Sequence, residues 1–98
     1  MKIARVDRNQ SEIVKALRSM GLSVHITSSI GGGFPDLVSG YGGFTYLNEI
    51  KDGLKPPSGR ALTEMEQKFF DAWKGHVCVL KSIEDAVQFA NNVRNMRC

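Results

Sequence analysis

The stretch Gly31–Gly53 (GGGFPDLVSGYGGFTYLNEIKDG) constrains this chain more than any other. It sets Pro35-Asp36 ahead of one short apolar run and Glu49-Ile50-Lys51 at the end of the next, with a glycine-rich break between them. Side chains alternate faces along an extended strand, so Glu49 and Lys51 share a face while Ile50 points into the opposite layer. If the two runs pair as a hairpin, Asp36 reaches the same patch. Two carboxylates and an ammonium then converge at the edge of a small sheet, which is a demanding arrangement to hold without a metal ion.

These residue types match what phosphodiester hydrolysis requires. Water must be deprotonated near neutral pH, and charge building on the phosphorane and leaving oxygen must be neutralised. One or two hard divalent ions held by carboxylates do both. Magnesium keeps several waters and takes few protein oxygens, so Asp36, Glu49 and the backbone carbonyl of Ile50 suffice to hold Mg²⁺ or Mn²⁺. Lys51 then activates the attacking water or stabilises the anionic transition state; beside two carboxylates it stays protonated, which favours the second role. Glu-x-Lys alone is commonly a solvated ion pair worth little. Its conjunction here with Pro-Asp at a strand start and an intervening glycine turn is what points to a site.

The flanking sequence reads as α-β-β-β-α-β-α. Asn9 as N-cap, Glu12 at the third helical position and Gly21 past the end bound a first helix, whose apolar stripe is Ile13, Val14, Leu17 and Met20. Leu22–Ser28 alternates as a strand, Leu37-Val38 form the body of a second, Ser39–Gly43 reads as a hairpin turn, and Phe44–Lys51 is the longest strand. Asp52–Ala61 is rich in proline and glycine and reads as a loop that is mobile before a partner binds. Thr63 and Glu66 form a capping box for a second helix, with Leu62, Phe69, Phe70 and Trp73 as its apolar face and Gly75 at its end. Val77–Leu80 is a fourth strand. Ser82 and Asp85 start a last helix with Ile83, Val87, Phe89, Ala90 and Val93 as its apolar residues, fraying through Arg94–Cys98. A strand reached across a helix needs a crossover, which makes it parallel to a neighbour. The expected fold is therefore α/β, a small mixed sheet flanked by helices.

At 98 residues and 42% hydrophobic content the chain fits one domain, residues 1–98, and a domain of this size gains from a second subunit. No apolar run reaches the roughly 20 residues of a membrane span, and Met1–Gln10 lacks the apolar core of a signal peptide, so a cytoplasmic protein is expected. Cys78 and Cys98 make neither a disulfide framework nor a zinc site, and Cys78 is expected in a core as a thiol. A net charge of +3 is compatible with a polyanionic partner; Arg5, Arg8, Lys55 and Arg60 are candidate phosphate contacts. His25 and His76 carry no assigned role. Tyr41, Phe44 and Tyr46 could stack on bases, but aromatic residues at strand period are usually core.

GFPDLVSGYGGFTYLNEIKDG resembles the core motif of the PD-(D/E)xK nuclease superfamily. With LTEMEQKFFDAW and VCVLKSIEDAV, the whole pattern resembles stand-alone, virus-type VRR-NUC domains of phages and prophages. The resemblance implies a restriction-endonuclease-like core and a metal-dependent endonuclease acting on branched or structured DNA in the cytoplasm of a bacterial host, as a homodimer. It implies Asp36 and Glu49 as metal carboxylates, Lys51 as the catalytic lysine and Glu12 as a first-helix glutamate approaching the metal. It also places Glu66 at a position that is often glutamine in the family. Glu66 either adds a carboxylate to the site or only caps the helix, and Gln67 points away. The competing expectations are an archaeal-type Holliday junction resolvase, and a nucleic-acid-binding accessory domain with an idle site.

Overall fold

The computed structural model describes residues 6–96. In chain order the elements are α1 (Gln10–Ser19), β1 (Ser23–Ile26), β2 (Leu37–Tyr41), β3 (Phe44–Ile50), α2 (Pro57–Arg60), α3 (Glu64–Ala72), β4 (His76–Leu80) and α4 (Ile83–Arg94). The four strands form one mixed sheet in the order β1-β2-β3-β4, antiparallel except for the parallel pair β3–β4. That parallel pair is the crossover expected from the intervening helix.

The hairpin is tighter than the sequence reading. Ser39 and Gly40 belong to β2 and pair with Tyr46 and Thr45, so the turn is only Gly42-Gly43. Both glycines have positive φ, +61° and +85°, the conformation that a two-residue turn matching strand twist demands. This register sets Leu37 opposite Asn48 and leaves Asp36 level with the end of β3.

One face of the sheet is the core. Leu37, Tyr46, Ile50 and Leu80 meet Ile13, Val14 and Leu17 of α1 and Ala86, Ala90 and Val93 of α4. The alanines let α4 sit close, whereas Ile83 and Val87, expected on its apolar face, are exposed. Asn48 is fully buried in this layer, accepting from Ser39 Oγ at 2.7 Å and donating to Cys78 Sγ at 3.3 Å. The Cys78 thiol packs against the core as expected, and burial pushes its pKa up. Tyr46 is core; Tyr41 and Phe44 pack at its margin. Cys98 and Arg5 lie outside the described residues.

Helix ends follow their caps in three cases and depart in one. At the end of α1, Gly21 (φ +94°) donates to the Arg18 carbonyl and Leu22 to that of Leu17, the paired bonds of a Schellman motif. Thr63 and Glu66 form the expected reciprocal box on α3, and Ser82 caps α4. Asn9 does not cap α1 through its side chain. Its Nδ2 instead donates to the carbonyls of Lys51 and Lys81, both at 3.1 Å, tying the helix start to the ends of β3 and β4.

Two further expectations are corrected. Asp52–Ala61 is not irregular throughout but contains the single turn α2, started by Pro57. The α3 face formed by Phe69, Phe70 and Trp73 is not buried: no α3 residue is, and Trp73 is 42% exposed. The helix lies instead over the glycine-rich segment before β2, where Phe69 packs edge-on against Phe34 at 5.3 Å and stacks on Trp73 at 5.2 Å. A Cβ on Gly33 would sit 2.6 Å from the Met65 carbonyl oxygen, so this approach requires glycine.

Candidate active site

Opposite the core, alternation along β3 places Leu47, Glu49 and then Lys51 on one face, and Lys51 reaches Glu66 of α3. Pro35, fully buried, anchors the chain before β2, and Thr27 fixes it twice, donating from Oγ1 to the Pro35 carbonyl at 2.8 Å and from N to the Asp36 carbonyl at 2.7 Å. Asp36 Oδ2 accepts the Ile50 N–H at 2.9 Å. Lys51 Nζ lies 3.8 Å from Glu49 Oε2 and 2.8 Å from Glu66 Oε1. Asp36, Glu49, Lys51 and Glu66 line one open cleft of about 700 Å³, with Asp7, Arg8, Asp52, Lys55 and Thr63 around them.

The electrostatics follow from burial and proximity. Glu49 is only 3% exposed; burial, the adjacent Asp36 charge and Glu66 push its pKa up to about 9. At neutral pH it is protonated and can donate to its neighbouring carboxylates. Burial also raises Asp36, partly offset by the Ile50 N–H. Burial pulls the Lys51 ammonium down, but the Glu66 hydrogen bond and the charges of Glu66, Glu49 and Asp7 outweigh it, so its pKa is raised. Burial likewise opposes ionisation of Glu66, yet the Lys51 and Thr63 hydrogen bonds hold its pKa below the usual range. Lys51 and Glu66 therefore form a charged pair, and Glu49 is the group that stays neutral.

Glu66 both caps and serves the cleft. Its Oε1 accepts from Thr63 N and from Lys51 Nζ, each at 2.8 Å. Gln67 is exposed and bonds only to Asp71 along the helix, as its wheel position implies. Glu12 is not brought to the cleft. It is exposed and borders a separate hollow with Asn9, Lys81 and Glu84, because burial of Ile13, Val14 and Leu17 turns position 12 outward. The acidic side chain that the N-terminal segment does bring to the cleft is Asp7, which sits in an irregular stretch where no periodicity marks it. His25 and His76 are exposed. Arg8 pairs with Asp52 at 2.8 Å, Lys55 with Asp7 at 3.4 Å, and Arg60 donates to the Gly53 carbonyl at 2.9 Å.

Comparison with known proteins finds no family model matching the chain and no significant match among curated proteins or solved structures.

Among the described residues, no three Asp, Glu, His or Cys side chains are disposed as a ready-made metal cage. The donor set nevertheless fits a magnesium-like ion, which takes one or two carboxylates and keeps its waters. Asp36 and Glu49 are hard oxygen donors brought side by side; burial first, and then the neighbouring Asp36 and Glu66 charges, raise the Glu49 pKa, and a divalent cation would offset the charge part of that shift. Among the described residues, no helix is long and apolar enough to cross a membrane.

Proposed function

We propose that this chain is a metal-dependent DNA endonuclease of the VRR-NUC type, on a restriction-endonuclease-like core of the PD-(D/E)xK kind. The observation that carries the reading is the meeting of Asp36, Glu49 and Lys51 in one open cleft, with Glu66 bonded to the lysine. Asp36 and Glu49 would hold Mg²⁺ or Mn²⁺, with the Ile50 carbonyl as a third oxygen. Such an ion, when bound, would supply Lewis acidity at the phosphoryl oxygen and acidify its water.

The side chains divide the remaining work. Glu66 keeps Lys51 cationic, so Lys51 serves as a donor to the anionic oxygens of the transition state and not as a base. Glu49, protonated in the metal-free protein, would have to release its proton to solvent to hold a cation, so occupancy would strengthen at higher pH. Asp36 is oriented by the Ile50 N–H through Oδ2.

The proposed substrate is branched or structured DNA and the acting form a homodimer, since one small subunit offers limited DNA surface and a two-fold pair would address two strands. The proposed setting is the cytoplasm of a bacterial host of a phage or prophage. The test is cleavage of supercoiled plasmid, flap, splayed-arm and four-way-junction DNA in Mg²⁺ and in Mn²⁺. Cleavage should require the metal and fall at least about a hundredfold in Lys51→Ala and Asp36→Ala. Full activity in the folded, purified variants would sink the site assignment.

A further inference from the structure

Residues 7–9 are joined rung by rung to residues 51–55. Asn9 Nδ2 donates to the Lys51 carbonyl at 3.1 Å, Arg8 Nε meets Asp52 Oδ2 at 2.8 Å, and Lys55 Nζ lies 3.4 Å from Asp7 Oδ1. The rungs are not equivalent. Asp52 is held from two sides, accepting the Leu54 N–H at 2.9 Å as well as the short Arg8 contact, so this rung is fixed at its acidic end. The Lys55–Asp7 contact is longer and half its lysine side chain is exposed; exposed pairs of this kind are weak. It is the rung that can open.

Both partners of that rung line the mouth of the cleft that holds Asp36, Glu49 and Lys51. The lysine stem is backed by α2: a Cβ on Gly59 would stand 3.2 Å from Lys55 Cβ and 3.4 Å from its Cδ. The ammonium is thus presented at the rim on a supported stem, with one exchangeable anionic partner.

We propose that Asp7 is an internal stand-in for a DNA phosphate. Lys55 binds a backbone phosphate at the mouth of the cleft, and Asp7 holds its ammonium while no DNA is present. This rests on the reading of the cleft as a DNA site. The exchange replaces one anionic oxygen by another on the same ammonium, so no covalent bond changes. DNA wins it because phosphate contacts also release condensed counterions, and the displaced Asp7, already partly exposed, returns to water. The strap lowers DNA affinity and discharges weak polyanions from the cleft mouth.

The test is fluorescence anisotropy of a labelled splayed-arm DNA duplex with the full chain, calcium replacing magnesium, across a salt series. Asp7→Asn should tighten binding about two- to fivefold at low salt by freeing Lys55. Lys55→Gln should weaken binding and reduce the slope of log affinity against log salt by about one. In the Lys55→Gln background Asp7→Asn should then add nothing. A gain from Asp7→Asn that persists without Lys55 would mean simple repulsion of DNA by Asp7, and an unchanged salt slope would remove Lys55 from the phosphate; either overturns the proposal. No DNA binding at all overturns it together with the DNA reading of the cleft. The expected pattern with no cleavage in magnesium would keep the strap and discard the hydrolytic reading.

Discussion

Lys51 Nζ and Thr63 N converge on the same oxygen, Oε1 of Glu66, at 2.8 Å each. A single carboxylate therefore starts α3 and charges the lysine of the cleft. The helix needs Glu66 at its third position to satisfy a free N–H, and the same placement aims the carboxylate at the end of β3.

This double role can be separated by substitution. Glu66→Gln retains a side chain able to cap, so stability should fall by less than about 1 kcal/mol while metal-dependent cleavage falls at least about tenfold. Glu66→Ala should lose both, with a further cost of about 1 kcal/mol in urea unfolding. Undiminished cleavage by the Glu66→Gln variant would show that the lysine does not need its partner.

Glu49 makes the stability of the metal-free protein fall with pH. Its folded pKa of about 9 lies above the ordinary 4.5, so between these values the folded state binds more protons than the unfolded state. The associated stability is present in full below about pH 4.5 and is lost as pH rises toward 9, with a slope of up to about 1.4 kcal/mol per pH unit. Urea midpoints measured in a chelator at pH 5.5, 7 and 8.5 should decline, and Glu49→Gln should flatten the decline while abolishing cleavage. Glu66 has the opposite sign: its depressed pKa contributes stability above the ordinary carboxylate range, lost as the solution is acidified through the folded value.

Gly33 and Gly31 both have positive φ, +85° and +74°, but only Gly33 touches α3. Gly31→Ala should cost about 1–2 kcal/mol of backbone strain and leave cleavage unchanged. Gly33→Ala adds a collision with the Met65 carbonyl, one residue before Glu66, and should also lower the cleavage rate by displacing Glu66 from Lys51. Equal rates in the two variants, measured under conditions where both are folded, would refute this coupling.

Asn48 bridges Ser39 and Cys78 in an otherwise apolar layer. Asn48→Ala leaves the buried Ser39 hydroxyl without this acceptor and opens a void, so unfolding in urea should show a loss of about 2–4 kcal/mol. Adding Ser39→Ala should then cost less than it does in the intact protein, because the stranded hydroxyl is removed with it.

Much of the framework was legible because it is local. The α1 stripe of Ile13, Val14 and Leu17, the Thr63–Glu66 box and the Gly21 stop are each written within a turn or two of helix. The shared face of Glu49 and Lys51 follows from strand alternation alone. What depends on distance is not written in any local window. Asn9 looks like a cap from its neighbours but spends its amide on Lys51 and Lys81, more than forty positions away. Glu12 and Asp7 differ in which reaches the cleft for the same reason, since the choice follows from how α1 is tied to β3 and β4 and not from either residue's neighbourhood.

The chain alone thus determined that Glu49 and Lys51 share a face and that Asp36 precedes the partner strand, because period-two alternation is local; the register came with the Gly42-Gly43 turn, tighter than the Ser39–Gly43 turn that the sequence suggests. Only the tertiary structure decided that Glu49 is the neutral carboxyl and that Glu66 is the lysine's partner. Glu49 is neutral because β3 is an inner strand and buries it beside Asp36, and Lys51 is firmly cationic because α3, lying over Gly33, delivers Glu66 to it. Protonation depends on solvent exclusion and on charges brought together from distant segments, and neither is encoded in the spacing of the motif.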